Sequence, residues 1–294
     1  MSCLAVFDMG GTSVKYGLWA DDHLQFQASF VTPATWPEMK ALLKVAFENL
    51  GNLANGDITG AAFSSPGSVD TKAGVVKGFS AIPYLHHFSI VQELTEALDV
   101  PVTFENDAYC AALAESWQGA ARGVQNAIFI VIGSGIGGAI ISEGKILKGR
   151  NLFGGEFGYM MMDAEYSFSD LASPVNTARR YTEESGSQIA ISGQELFERA
   201  DRGESLAQKH VDQMLDALGR GIQMLSVVLN PDRVLLGGAI SERDGLLEEV
   251  TQRAHGYLKR TQATDVELDI VTCQFRNQAN LLGAVAAHYS QTRQ

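Results

Sequence analysis

Leu4-Ala5-Val6-Phe7-Asp8-Met9-Gly10-Gly11-Thr12 runs directly into Val14-Lys15-Tyr16-Gly17-Leu18-Trp19: an apolar run, a glycine turn and a second apolar run. The order returns at Ile128-Phe129-Ile130-Val131-Ile132-Gly133-Ser134-Gly135-Ile136-Gly137-Gly138, which continues into Ala139-Ile140-Ile141. Runs of this kind broken by glycine read as strand, turn and strand. A turn without Cβ atoms lets successive N–H groups approach an anion and form a concave nest for phosphate oxygens. Glu105-Asn106-Asp107 lies between the two turns. Two nests and a carboxylate together point to a protein that holds a nucleotide and moves its terminal phosphate.

Plainer readings compete at each position. A Gly-Gly pair between strands is also what an ordinary hairpin uses. The second turn satisfies G-x-G-x-x-G at Gly133, Gly135 and Gly138, but a dinucleotide site needs a helix to open there and receive the pyrophosphate. Ala139-Ile140-Ile141-Ser142 reads instead as a strand, turned by Glu143-Gly144 into Lys145-Ile146-Leu147.

The 294 residues are 46% hydrophobic and 19% charged, enough for one large domain or two lobes with real cores. A formal net charge of −12 argues against a broad nucleic-acid surface. Cys3, Cys110 and Cys273 are far apart with no C-x-x-C pair, so neither a disulfide framework nor a zinc cluster is indicated, and a reducing compartment fits. Met1 leads almost at once into a strand with no hydrophobic signal core, and no apolar run is long enough to span a bilayer. The expected location is the cytoplasm, away from membranes.

Strands are expected at 4–8, 14–19, 24–31, 58–64, 102–104, 233–236 and 267–272, besides those flanking the second glycine turn. Helices are expected at 36–50, 90–98, 108–117, 175–185, 193–201, 205–229, around 245–260 and at 279–290. The restart of the pattern near Ala127 reads as a duplication of structure, not of letters. A cleft between two such α/β lobes is the natural ligand site.

Asn106-Asp107 precedes a helix, where both residue types serve as caps. A carboxylate there is also kept ionised by the helix dipole, and can take a proton from an alcohol while orienting it for phosphoryl transfer. Asp107 is therefore the candidate base and Asn106 a hydroxyl partner, while Glu105 fits a solvated strand-end charge. In Gly154-Gly155-Glu156-Phe157-Gly158-Tyr159, Glu156 and Tyr159 supply the acceptor and donor a polyol requires, unless the segment is only a surface turn. Val234-Leu235-Leu236-Gly237-Gly238-Ala239 reads as a buried strand ending in a turn that suits packing under a flat adenine. Met160-Met161-Met162 reads as core filler.

Asp8-Met9-Gly10-Gly11-Thr12, Ser65-Pro66-Gly67, Glu105-Asn106-Asp107, Gly133-Ser134-Gly135-Ile136-Gly137-Gly138, Gly155-Glu156-Phe157-Gly158 and Leu236-Gly237-Gly238 stand in the order found in ROK-family sugar kinases. The resemblance spans nearly the whole chain. It implies an α/β fold of the actin-like ATPase (duplicated ribonuclease H-like) type, with two lobes and a central cleft. The lobes divide here as residues 1–108 plus 279–294 on the sugar side and 109–278 on the adenosine side. It further implies that Asp8, Gly10, Gly11, Thr12, Lys15, Gly133, Ser134, Gly135 and Gly137 serve ATP phosphates and that Gly237 and Gly238 lie near adenosine. Asp107 is then the base, and Gly67, Asn106, Glu156 and Tyr159 belong to the sugar site.

ATP and Mg²⁺ follow as cofactors, and a homodimer as the assembly. Many members place a His after the Gly-Glu-x-Gly segment and then a Cys-rich zinc motif, but Tyr159 occupies the His position and residues 163–185 hold no Cys. Ala81, in Ala81-Ile82-Pro83, stands where an Asn is common. Both departures imply a more tolerant pocket, as in the branch containing β-glucoside kinases and proteins assigned as N-acetylmannosamine kinases. The expected activity is phosphorylation of the 6-OH of a glucose-type unit, glucose or a β-glucoside, with N-acetylmannosamine as the alternative substrate. A sugar-responsive regulator would need an N-terminal helix-turn-helix, for which a strand starting at Leu4 leaves no room. A non-sugar actin-like ATPase would not need Asn106, Asp107 and Glu156 together.

A structural zinc needs about four close Cys or His ligands, and Tyr159 to Ser185 contains neither residue type. Elemental analysis should therefore find no stoichiometric zinc. EDTA should abolish activity without moving the melting temperature, and added Mg²⁺ should restore it. One tightly held zinc per chain would overturn this reading.

Overall fold

The computed structural model describes residues 3–292. In chain order its first elements are β1 (Cys3–Met9), β2 (Ser13–Ala20), β3 (His23–Val31), α1 (Trp36–Leu53), β4 (Ile58–Ser65), β5 (Ser68–Asp70), β6 (Val75–Lys77), α2 (Ile90–Leu98), β7 (Val102–Asn106) and α3 (Asp107–Gln118). There follow β8 (Ala127–Ile132), β9 (Ile136–Ser142), β10 (Lys145–Ile146), α4 (Phe168–Ala172), α5 (Pro174–Ser185), α6 (Gly193–Asp201), α7 (Ser205–Leu229), β11 (Arg233–Gly237), α8 (Leu246–Arg260), β12 (Ile270–Thr272) and α9 (Ala279–Thr292). The chain forms two compact units: residues 1–117, 150–153 and 277–294, and residues 118–149 and 154–276.

The first unit is built on a sheet of order β3-β2-β1-β4-β7, the second on β10-β9-β8-β11-β12. In each, the first three strands are antiparallel and the last two join in parallel. The duplication expected from the two glycine turns is thus present strand for strand. Each turn is the hairpin between the first two strands of its sheet, so the second is followed by a strand and not by the helix of a dinucleotide site.

β1 is flanked on both sides and covered on both faces, which is why all seven of its residues are buried. β3, at the edge, alternates exposed and half-buried positions. Register across the first sheet brings Tyr16, Phe7, Phe63 and Phe104 into one row. Ring centroids are 6.1, 4.7 and 4.8 Å apart along it, and the rings are stacked. Pairs of this kind stabilise a sheet by roughly 0.5–1.5 kcal/mol each beyond the area they bury. The row joins Met39, Leu43, Leu50, Leu94 and Leu98 of α1 and α2 in one core. α9 packs on β1, β4 and β7. Gly60 of β4 is required there, since an added Cβ would lie 2.9 Å from His288, and Gly283 of α9 is required against α3, where a Cβ would overlap the Cys110 carbonyl.

In the second unit, Ile128, Ile130 and Ile132 of β8 pack with Leu218 and Ile222 of α7 and with Val250 of α8. Residues 160–173 are fastened by hydrogen bonds and packing. The Asp163 carboxylate accepts from the Glu165 and Tyr166 amides, Ser167 and Asp170 form a capping box at α4, and Phe168 is buried over Gly221. Among the described residues no three His, Cys, Asp or Glu side chains are grouped to hold a metal ion, and no helix is long and apolar enough to cross a membrane.

Candidate active site

The first unit gathers its candidates at the carboxyl ends of the parallel strands. Asp8, one residue beyond Phe7, faces the opposite side of the sheet and is 8% exposed. Its Oδ1 accepts from Ser64 Oγ at 2.9 Å and from Asn280 Nδ2 of α9 at 3.0 Å. Burial pushes its pKa above the ordinary carboxylate range, opposed by those two bonds and by the charge of Lys15. Glu105 is 4% exposed, so it is not the solvated strand-end charge that its position suggested. Its Oε1 accepts from the Asn106 amide at 2.9 Å. Cys110 lies fully buried beside Asp8, Glu105 and Asp107, and burial followed by these carboxylates pushes its thiol far up, so it stays protonated.

The cap of α3 is shared. Asn106 Oδ1 accepts from the Tyr109 amide at 3.1 Å, the side-chain cap proper, while Asp107 is already the first helical residue. Asp107 Oδ1 accepts from the Ala108 amide at 2.8 Å and from Asn106 Nδ2 at 3.0 Å. The same Nδ2 donates to the Gly67 carbonyl at 3.0 Å. Gly67, Asn106 and Asp107 are thereby brought together, with the amide of Asn106 spent on positioning its neighbours.

The two glycine turns differ in what requires their glycines. At Gly10 an added Cβ would lie 2.8 Å from the Ser13 carbonyl, and at Gly11 2.8 Å from Ala81 Cβ. The Gly10 carbonyl accepts from Thr32 Oγ1 at 2.5 Å and the Thr12 carbonyl from the Thr32 amide at 3.0 Å, leaving Gly11 and Thr12 exposed on a fastened turn. In the second turn a Cβ at Gly137 would meet nothing within 4 Å, and at Gly133 only the Gly135 carbonyl at 4.0 Å. Neither has the positive φ that favours glycine. Packing and backbone conformation leave these two unexplained, whereas close approach by an anion explains both. Ser134 is exposed beside them, and Ser169 Oγ of α4 fastens the turn by accepting from the Ile136 amide at 2.9 Å.

Gly155 has φ +88 and approaches β9 so closely that a Cβ would lie 2.7 Å from Ala139 Cα. That contact sets Glu156, which is half-buried; its carboxyl pKa is raised by burial. Tyr159 is 71% exposed. Gly237 is buried against Cys273 and Phe129, and Gly238, at φ +95, lies over the Ile132 carbonyl and opens the 3-10 turn Ala239–Glu242. Beside that turn is a cavity of about 870 Å³ walled by Ile132, Gly133, Val175, Phe197, Ala239 and Ile240. One of its walls is therefore a glycine of the second turn and another the segment after Gly238. Arg243 also lines it, its guanidinium 4.8 Å from the Phe197 ring centroid and paired with Asp201.

Asn280, Ser64, Phe197 and Arg243 were not foreseen. Each reads locally as a helix-start, strand, helix or loop residue, and only tertiary packing within its own unit brings it beside the candidate residues.

The sequence profile of the ROK family matches residues 4–290. The chain belongs to the ROK family. Its duplicated sheets are accordingly those of the actin-like ATPase fold. A β-glucoside kinase of Listeria monocytogenes is 29% identical, with 96% of each chain covered. One from Klebsiella pneumoniae is 30% identical over 98% of this chain and 96% of its own. A ROK-family protein of Streptococcus pneumoniae, solved in complex with sucrose, superposes with a TM-score of 0.88 at 32% identity, covering 99% of this ROK chain and 100% of that one.

Two predictions follow from the site's energetics. A carboxylate whose folded pKa is raised by burial costs stability once ionised, so the contribution of Asp8 is lost as pH rises through the folded value. Asp8→Asn, whose Oδ1 can still accept from Ser64 and Asn280, should melt no lower than the parent at pH 7–8 while losing activity. That stability gain should shrink as pH falls into the carboxylate range. A melting point well below the parent at pH 8 would contradict this. Gly137→Ala should shift stability by less than about 0.5 kcal/mol, as for an open site, yet weaken nucleotide binding in a calorimetric titration. Gly138→Ala, whose Cβ would lie 2.6 Å from the Phe157 ring, should instead lower the melting temperature.

Proposed function

We propose that this ROK protein transfers the terminal phosphoryl group of ATP to a sugar hydroxyl, the 6-OH of glucose or of the glucose unit in a β-glucoside. The observation that carries the reading is the arrangement at the start of α3: Asp107 is oriented through Asn106 and Gly67 at the carboxyl ends of the parallel strands. The β-glucoside kinases among the relatives support the sugar class. The sucrose complex of the pneumococcal protein supports a family site that admits more than one sugar unit.

In this reading Asp107 accepts the proton of the attacking hydroxyl, at a helix N-terminus where the dipole favours negative charge. Asn106 holds that carboxylate in one orientation. Glu156 and Tyr159 contact sugar hydroxyls as acceptor and donor. Gly10, Gly11 and Thr12, with Lys15, face phosphate oxygens in the first unit, and Gly133, Ser134, Gly135 and Gly137 do so in the second. The cavity beyond Gly133, bordered by the turn after Gly237 and Gly238, takes the adenosine. Mg²⁺, when present with the nucleotide, would supply charge neutralisation for phosphoryl transfer. Asp8 suits it as a hard oxygen donor, since Mg²⁺ in such sites uses one or two carboxylates beside phosphate and water.

An ADP-release screen over glucose, cellobiose, aryl β-glucosides, mannose and N-acetylmannosamine tests the reading, with sugar-dependent release expected for the glucosides. Asp107→Asn should bind sugar and keep its fold, because the amide oxygen can still accept from Ala108. Its kcat should fall by about 10²-fold or more, as for loss of a general base. Near-parental turnover in that variant, or ADP release indifferent to every sugar, would sink the assignment.

A further inference from the structure

Gly67 carries the carbonyl that orients Asn106, and His86 stands against it. An added Cβ on Gly67 would lie 3.1 Å from His86 Cε1 and 2.9 Å from Val76 Cγ1, so the imidazole rests on the bare face of that glycine. His86 Nε2 is 2.9 Å from Ser80 Oγ. Ser80 Oγ accepts from the Ile82 amide at 3.2 Å, and its hydroxyl hydrogen has two acceptors, Nε2 at 2.9 Å and the Ile82 carbonyl at 3.4 Å, of which Nε2 is the nearer. The backbone of His86 is bridged to Val76, and the His87 amide donates to the Val76 carbonyl at 3.0 Å. The loop between β6 and α2 is therefore fastened at Gly67 by its His86 end and touches the first phosphate turn through Ala81, over Gly11.

A histidine is a costly choice for this place. Nδ1 is buried without a hydrogen-bond partner of good geometry, although the Val76 and Lys77 carbonyls are near enough to favour a charged ring. Burial, and then the neighbouring His87, outweigh them and push the pKa below the ordinary imidazole value, which keeps the ring neutral at neutral pH. A leucine or phenylalanine would fill the volume with no orphaned nitrogen. What it would lose is the directed bond to Ser80, which fixes the ring's angle on Gly67.

We propose that His86 is a positioning residue for phosphoryl transfer: tied to Ser80 and seated on Gly67, it fixes the carbonyl that orients Asn106 and, through it, Asp107. The inference rests on Asp107 being the base. His86 need touch neither sugar nor nucleotide. Displacing the carbonyl of Gly67 would release one N–H of Asn106 and let the carboxylate of Asp107 wander from its line of attack, an error that lowers turnover more than binding.

The test compares His86→Leu, which keeps bulk, with His86→Gln, which can bond Ser80, and Ser80→Ala, which removes the same bond from its other end. His86→Leu and Ser80→Ala should lower kcat by about 10-fold, leave KM for ATP and for sugar within about two-fold, and melt near the parent. His86→Gln should recover most of the loss. Unchanged kcat in both His86→Leu and Ser80→Ala overturns the proposal, as does an equal fall in His86→Gln. Should His86→Leu melt early, Ser80→Ala decides alone. Asp107→Asn in the same series separates the two readings. If it keeps turnover, the assignment of the base fails; if it is dead while His86→Leu is fully active, only the positioning role fails.

Discussion

The row of Tyr16, Phe7, Phe63 and Phe104 is the constraint from which the first unit's site follows. Side chains alternate along a strand, so whatever fixes the aromatic row on one face fixes Asp8, Ser64 and Glu105 on the other. Slipping one strand by a single residue would carry a carboxylate into the core formed with α1 and α2 and send a phenyl ring toward α9. The stacked rings make that slip expensive. They also set how far β4 and β7 reach, and so where Ser65, Gly67 and Asn106 emerge from the sheet. Chemistry at the strand ends is thus placed by a purely apolar interaction one residue behind it.

That placement has a cost. Asp8 and Glu105 are buried carboxylates, and Cys110 is pressed among acids. A sequence chosen for stability alone would put amides or alanines there. The hydrogen bonds from Ser64, Asn280 and the Asn106 amide reduce the penalty without removing it, as the raised pKa of Asp8 records. Glu156 repeats the pattern in the second unit, half-buried and with its pKa raised by burial. The cores on either side must supply the stability that these positions give up.

The elements easiest to read in the sequence were those whose burial pattern is periodic over many residues. α2, α6 and α7 run over the same residues as their sequence periodicity, and both hairpins follow directly from their glycines. The three-residue strands β5 and β6 left no such trace, because a pattern of period two cannot be established over three positions. The last strand is confined to Ile270–Thr272 instead of the expected 267–272, since its pairing with β11 covers only Val234 to Leu236. The five-residue α4 did carry a local signature, Ser167-Phe168-Ser169-Asp170, which is a capping box. Of the site, motif residues were legible because glycines and paired polar residues in odd places need a reason. Asn280 and Arg243 were not, because their meaning lies in what another part of the chain brings beside them.

The bond from Asn280 to Asp8 spans 272 positions of sequence. During synthesis, the first strand and its glycine turn emerge at the outset, yet the helix that covers their sheet and braces their carboxylate emerges near the end. The second unit, closed by residue 276, holds every segment of its own sheet before α9 exists. For most of translation the earlier-made sheet therefore offers the bare face of β1, β4 and β7 to whatever is nearby, including chaperones and other nascent chains. Maturation of the oldest part of this protein waits on its youngest helix.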